Sequence, residues 1–102
     1  MKNGVPKKIE DQLNALRDKI DAVDRKMVDF LNERAVYAKE LGDIKLSAGL
    51  PIYMPKREEE VIYNVKTHNS GPLSNDAIQR LYERIIDESR RLEREQSQKK
   101  SK

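Results

Sequence analysis

The sequence predicts an all-α fold of three helices, the first of them very long. Three observations carry that prediction. Apolar residues recur at steps of three and four from Ile9 to Ile44 with no proline from Lys7 to Ser47. Turn-forming residues interrupt the pattern only twice, at Ala48–Tyr53 and at Asn69–Pro72. No stretch alternates with the period of two that a half-buried strand requires. The chain has 102 residues, 36% hydrophobic and 38% charged. That length fits one domain, and so little apolar material gives one chain only a thin core.

The first helix carries Ile9, Leu13, Leu16, Ile20, Val23, Met27, Phe30/Leu31, Ala38, Leu41 and Ile44 on one stripe, the signature of an amphipathic helix. Gly42 is tolerable near its end. A helix of roughly 40 residues is about 60 Å long. It cannot cover its own stripe in so short a chain and needs a partner helix, most simply from a second copy. After the break, Pro55 suits the first turn of a second helix, where its missing N–H costs nothing. That helix presents Arg57, Glu58, Val61, Ile62 and Val65 on one broad side. A third helix starts with Ser74 or Asn75 as N-cap. Its stripe is Ile78, Leu81, Tyr82, Ile85, Ile86, Ser89 and Leu92, and it frays from Gln96. The expected organisation is a flexible N-terminus over 1–8, one domain over 9–96 and a basic flexible tail over 97–102.

Composition excludes several function classes. There is no cysteine and one histidine, His68, so no disulfide framework and no transition-metal site are expected. The start of the chain lacks the apolar run of a signal peptide, and no segment approaches the roughly 20 apolar residues of a membrane span. A cytoplasmic protein with no membrane partner is the expectation. Net charge is +3, from 21 basic and 18 acidic residues, too balanced to indicate nucleic acid. The terminal lysines Lys7-Lys8 and Lys99-Lys100-Ser101-Lys102 read as solvated ends.

The polar residues that violate the stripes are the candidate site. Arg34 lies on the first stripe, and Lys45 lies at its edge. Eleven residues bring Lys45 to within about 20° of Arg34, about 16 Å further along the axis. Charges on an apolar stripe are costly unless satisfied. Either the two snorkel or pair with glutamates, which spacing alone slightly favours, or they grip the ends of a small anion. Arg17 is about 25 Å from Arg34 and on another side, so it can serve the same site only from the partner chain. Ser89 and Glu93 sit one turn apart on the third stripe. A serine there can bond its own helix backbone. A glutamate is rarely buried without a partner, though Glu93 is near the frayed, wet end. The acidic run after Arg57 complements the helix dipole. Cations and hydrogen bonders without a nucleophile, glycine-rich loop or metal cluster suit binding a polyanion or stabilising a charge-separated transition state.

The order of these residues resembles the all-helical chorismate mutases. Leu16–Asp24 is similar to that family's opening motif, followed by Leu31-Asn32-Glu33-Arg34, Leu41-Gly42-Asp43-Ile44-Lys45, Pro55-Lys56-Arg57-Glu58-Glu59 and Ile85-Ile86-Asp87-Glu88-Ser89. Each motif is short; together, in order and with matching gaps from about residue 10 to 95, they are specific. The resemblance implies an intertwined homodimeric helical bundle, no cofactor, and a concerted rearrangement of chorismate to prephenate. It implies that Arg34 and, from the other subunit, Arg17 clamp the substrate carboxylates. Lys45 would bind a carboxylate and donate to the ether oxygen, and Arg57 would be a further site cation. Glu58 would take the ring hydroxyl, and Ser89 would contact a carboxylate. Two positions depart from the family pattern. Glu93 stands where many bacterial members carry a glutamine that donates to the ether oxygen. A glutamate donates only when protonated, so the resemblance predicts activity that falls as Glu93 deprotonates. Met54 replaces an aspartate found in some members, where the backbone supplies part of the contact to the ring hydroxyl. Two other readings compete: an isochorismate-pyruvate lyase on the same fold, and a non-enzymatic helical interaction module.

Overall fold

The computed structural model describes residues 4–100, with the backbone alone at 97, 99 and 100. Met1–Asn3 and Ser101–Lys102, the outer parts of the two expected flexible ends, lie outside the described residues. The described elements are three helices: α1 (Lys7–Ala48), α2 (Pro55–His68) and α3 (Asn75–Lys100). No helix is long and apolar enough to cross a membrane among the described residues.

The chain divides into two units, Met1–Arg34 and Ala35–Lys102, with the boundary inside α1. The first unit is a helical segment whose stripe has nothing of its own to pack against. Ile9, Leu13, Leu16, Ile20, Val23, Met27 and Leu31 are all exposed, and Phe30 is 68% exposed.

The second unit holds the end of α1 together with α2 and α3. Residues Lys45–Leu50 close α1 with a Schellman motif. Gly49 takes φ +68°; its N–H donates to Leu46 O at 3.3 Å, and the Leu50 N–H donates to Lys45 O at 2.8 Å. That geometry needs a left-handed residue, which glycine supplies without penalty. Pro55 opens α2, and the Met54 carbonyl accepts the first helical bond, from the Glu58 N–H at 3.2 Å. Ser74 is the N-cap of α3, its Oγ accepting from the Ala77 N–H at 3.0 Å. Asn69 organises the intervening turn. Its amide donates to Leu73 O and Asn75 Oδ1, while its Oδ1 accepts from the Gly71 N–H.

α2 and α3 pack against each other, with Val61, Ile62 and Val65 half-buried opposite the buried Ile86. The core is thin: Ala38 and Ile86 are its buried apolar residues among those described. α3 also packs directly on α1 at Gly42. A Cβ built there would meet the Cα, Cβ and carbonyl oxygen of Glu93 at 3.2–3.3 Å. Gly42 is therefore a close-approach residue, a stronger role than the tolerated helix glycine read from the sequence. α3 itself differs from expectation at its far end, where the helical backbone continues past Gln96 to Lys100.

Candidate active site

The close approach at Gly42 determines what α3 presents to α1. One turn after Gly42, Lys45 enters the last turn of α1, and Glu93 faces it from α3. Lys45 Nζ donates to Glu93 Oε1 at 2.7 Å. The two side chains are only 13% and 10% exposed, so this is a nearly desolvated ion pair. Lys45 Nζ also donates to the Ile52 carbonyl at 3.1 Å, which ties the α1–α2 loop to the same ammonium. Two of its three N–H bonds are directed by these contacts. The pair answers one question the stripes left open: Lys45 does pair with a glutamate, and the partner is another predicted site residue.

Ser89 lies one turn before Glu93 on α3, half-buried, and donates to its own helix at Ile85 O, 3.0 Å away. A hydroxyl bonded this way still offers lone pairs to a ligand.

Glu58 and Arg57 part company. Adjacent helical residues differ by about 100° in direction, so one of the two turns toward α3 and the other cannot. Glu58 is the one that turns in. It accepts from Arg90 of α3 twice, Nε to Oε2 at 3.0 Å and Nη2 to Oε1 at 2.8 Å. Arg57 is exposed and pairs with Glu60 at 3.4 Å, away from the Lys45–Glu93 pair. Met54 sits at the α2 N-cap, partly exposed, with its carbonyl used by the helix.

Arg17 and Arg34 belong to the first unit. Arg17 is exposed and donates to Asn14 Oδ1 at 3.4 Å. Arg34 is half-buried. A groove of about 650 Å³ opens along the α2–α3 seam, lined in part by Tyr53, Glu58, Ile62 and Ile86. Of the predicted site residues it takes in only Glu58. Among the described residues, no cluster of three or more His, Asp or Glu side chains could hold a metal ion.

Arg90, which pairs with Glu58, and Gly42, which lets α3 approach, are positions of this cluster that the sequence reading did not single out. The signal for Arg90 was present: Ile86, Ser89, Arg90 and Glu93 fall at i, i+3, i+4 and i+7 of one stripe, so Arg90 violates the pattern as Glu93 does.

The all-helical second unit presents a nearly desolvated lysine, a glutamate and a serine, and among its described residues it offers charge and hydrogen bonds of the kind suited to binding and electrostatic stabilisation. The chain belongs to the chorismate mutase type II family, whose pattern matches residues 16–94. It is 36% identical over 88 residues to the bifunctional chorismate mutase/prephenate dehydratase of Aquifex aeolicus, a match covering 82% of this chain. The chain spans 24% of that relative's length. Among solved structures it is similar to a chorismate mutase from Thermus thermophilus, with TM-score 0.80 and 36% identity over 81% of this chain and 94% of that one. It is also similar to the Helicobacter pylori chorismate mutase in complex with prephenate, with TM-score 0.78 and 29% identity over 84% of this chain and 93% of that one.

Proposed function

We propose that this chain catalyses the rearrangement of chorismate to prephenate, working in the cytoplasm as a homodimer. The observation that carries the reading is the match to the chorismate mutase type II family over residues 16–94, and the 2.7 Å approach of Lys45 and Glu93, far apart in sequence, supports it.

In the reaction the ether C–O bond breaks as a C–C bond forms in one concerted step. No atom or electron passes between substrate and protein, so the chemistry calls for no cofactor. The enzyme's contribution is to hold the dianion in its compact conformer and to meet the negative charge that grows on the ether oxygen. Lys45 is suited to both tasks, because its ammonium is already held and largely stripped of water. Its charge is answered by Glu93. A bound dianion competes for that ammonium; only a neutral Glu93 carboxyl would escape the conflict, and only that form can donate a hydrogen bond. Arg34 and the partner subunit's Arg17 supply cations for the substrate carboxylates. Ser89 adds a hydroxyl, and Glu58 and the Met54 backbone receive the ring hydroxyl. Arg57, which is exposed, would join the site by swinging its flexible stem.

The second copy is supported by the first unit. A helix with eight large apolar residues exposed along one stripe gains stability by pairing, since burial is worth about 25 cal/mol per Å².

The test is loss of chorismate on adding purified protein, with the product identified. Prephenate formation supports the assignment. Release of pyruvate from isochorismate, with no turnover of chorismate, would move the chain to the lyase reading. No turnover of either would leave an interaction module.

A further inference from the structure

We propose that Arg90 is a positioning residue of this site, acting through Glu58: it fixes the carboxylate that receives the substrate's ring hydroxyl and offsets its charge against the incoming dianion. The proposal rests on the reading of Glu58 given above.

The geometry is that of a fork. Nε and Nη2 of one guanidinium meet the two oxygens of one carboxylate at 3.0 and 2.8 Å, the planar bidentate pairing that arginine makes and lysine cannot. The guanidinium is held on two further sides. It lies over the Tyr53 ring at 5.1 Å from the centroid, and it pairs with Asp87 one turn back at 3.4 Å. Both partners of the fork are three-quarters buried, at 24% and 26% side-chain exposure. Tyr53 belongs to the α1–α2 loop, Glu58 to α2 and Arg90 to α3, so the cluster ties three segments of the second unit to one orientation of one carboxylate.

Two functional consequences follow. A carboxylate has about four lone-pair sites; Arg90 takes one on each oxygen and leaves the others on the side away from it. A hydroxyl donor therefore meets an acceptor whose direction is set in advance. In addition, an unpaired glutamate would repel a dianion. The paired one presents a near-neutral dipole that accepts a hydrogen bond at little electrostatic cost. The guanidinium pKa is raised above its ordinary value, chiefly by the hydrogen bonds it donates to Glu58 and against the opposing effect of burial. Arg90 therefore stays charged throughout the working range and is no pH switch.

The experiment is a double-mutant cycle on chorismate turnover with Arg90→Gln, Arg90→Lys, Glu58→Gln and the two double variants, each first checked for wild-type helicity. Arg90→Gln alone should cost about tenfold or more in kcat/KM, the equivalent of one charge-assisted hydrogen bond. The loss should fall mainly on KM, because the hydroxyl contact is made in ground and transition states alike. Arg90→Lys should recover part of it, lacking the fork. In the Glu58→Gln background, either Arg90 change should cost less than about twofold further. Losses that multiply, or a fall in kcat at unchanged KM as a smaller active fraction would give, overturn the proposal. If Arg90→Gln does not fold, Arg90→Lys in the two backgrounds gives the same comparison. A wild-type chain that does not turn over chorismate overturns the mutase reading, whereas an active wild type with multiplying losses overturns only the role of Arg90.

Discussion

Lys45 and Glu93, 48 positions apart in the chain, meet at 2.7 Å with their side chains almost closed to water. Removing one member of such a pair strands the other. Lys45→Met should therefore lose stability as well as activity. Leaving a nearly buried carboxylate unpaired costs about 3 kcal/mol, and losing a preorganised donor to the transition state lowers kcat by about 10²–10³-fold. Thermal unfolding and turnover measured on the same sample check both. Unchanged turnover would remove Lys45 from the chemistry.

Glu93→Gln should behave differently. Glutamine keeps the hydrogen bond to Lys45, through its carbonyl, and donates from its amide at every pH. If the neutral carboxyl is the active form, the wild type should lose activity as pH rises, whereas the variant should show a flatter profile. Profiles of kcat/KM from about pH 4 to 8, which span the ordinary glutamate and histidine values, decide it. If the two profiles coincide, Glu93 does not act as a proton-dependent donor.

Gly42→Ala should weaken the seam between α1 and α3. The new methyl would meet the Glu93 Cα at 3.2 Å, and backbone cannot swing aside as a side-chain end can. Overpacking of this kind costs about 1–3 kcal/mol, against a gain of about 1 kcal/mol in helix propensity. The net expectation is a melting temperature lower by a few degrees and a larger relative loss of turnover, because the displaced residue is Glu93 itself. A variant that is more stable and equally active would show that the helices separate freely at this point.

Arg17 and Arg34 offer a test of the second copy. If each site takes Arg34 from one chain and Arg17 from the other, Arg17→Ala and Arg34→Ala should each be nearly inactive. Co-refolded in equal amounts, they should recover about a quarter of wild-type activity: half the dimers are mixed, and each mixed dimer has one intact site. No recovery, with mixed dimers present, would place both arginines in one chain's site or in none.

Placing charge on the exposed stripe tests the interface itself. Ile20→Glu should shift the protein from dimer to monomer by light scattering and abolish turnover, while helicity in α2 and α3 persists. A wild-type chain that is monomeric at micromolar concentration and still active would rule the dimer out.

Much of this molecule was legible because its signals are local. The stripe from Ile9 to Ile44, Pro55 at the start of α2 and Ser74 capping α3 each depend on residues within a turn or two of one another. The same local rule marked Lys45 and Glu93 as violations of an apolar pattern. What the tertiary structure decided is which of these residues meet. Periodicity does not say that Gly42 lets α3 approach until Lys45 and Glu93 pair, or that Glu58 turns to α3 while Arg57 faces solvent. Nor does it say that Arg90 closes a fork on Glu58. Those contacts depend on the approach and rotation of whole helices, which are set by packing between segments distant in sequence and leave no periodic trace in any one of them.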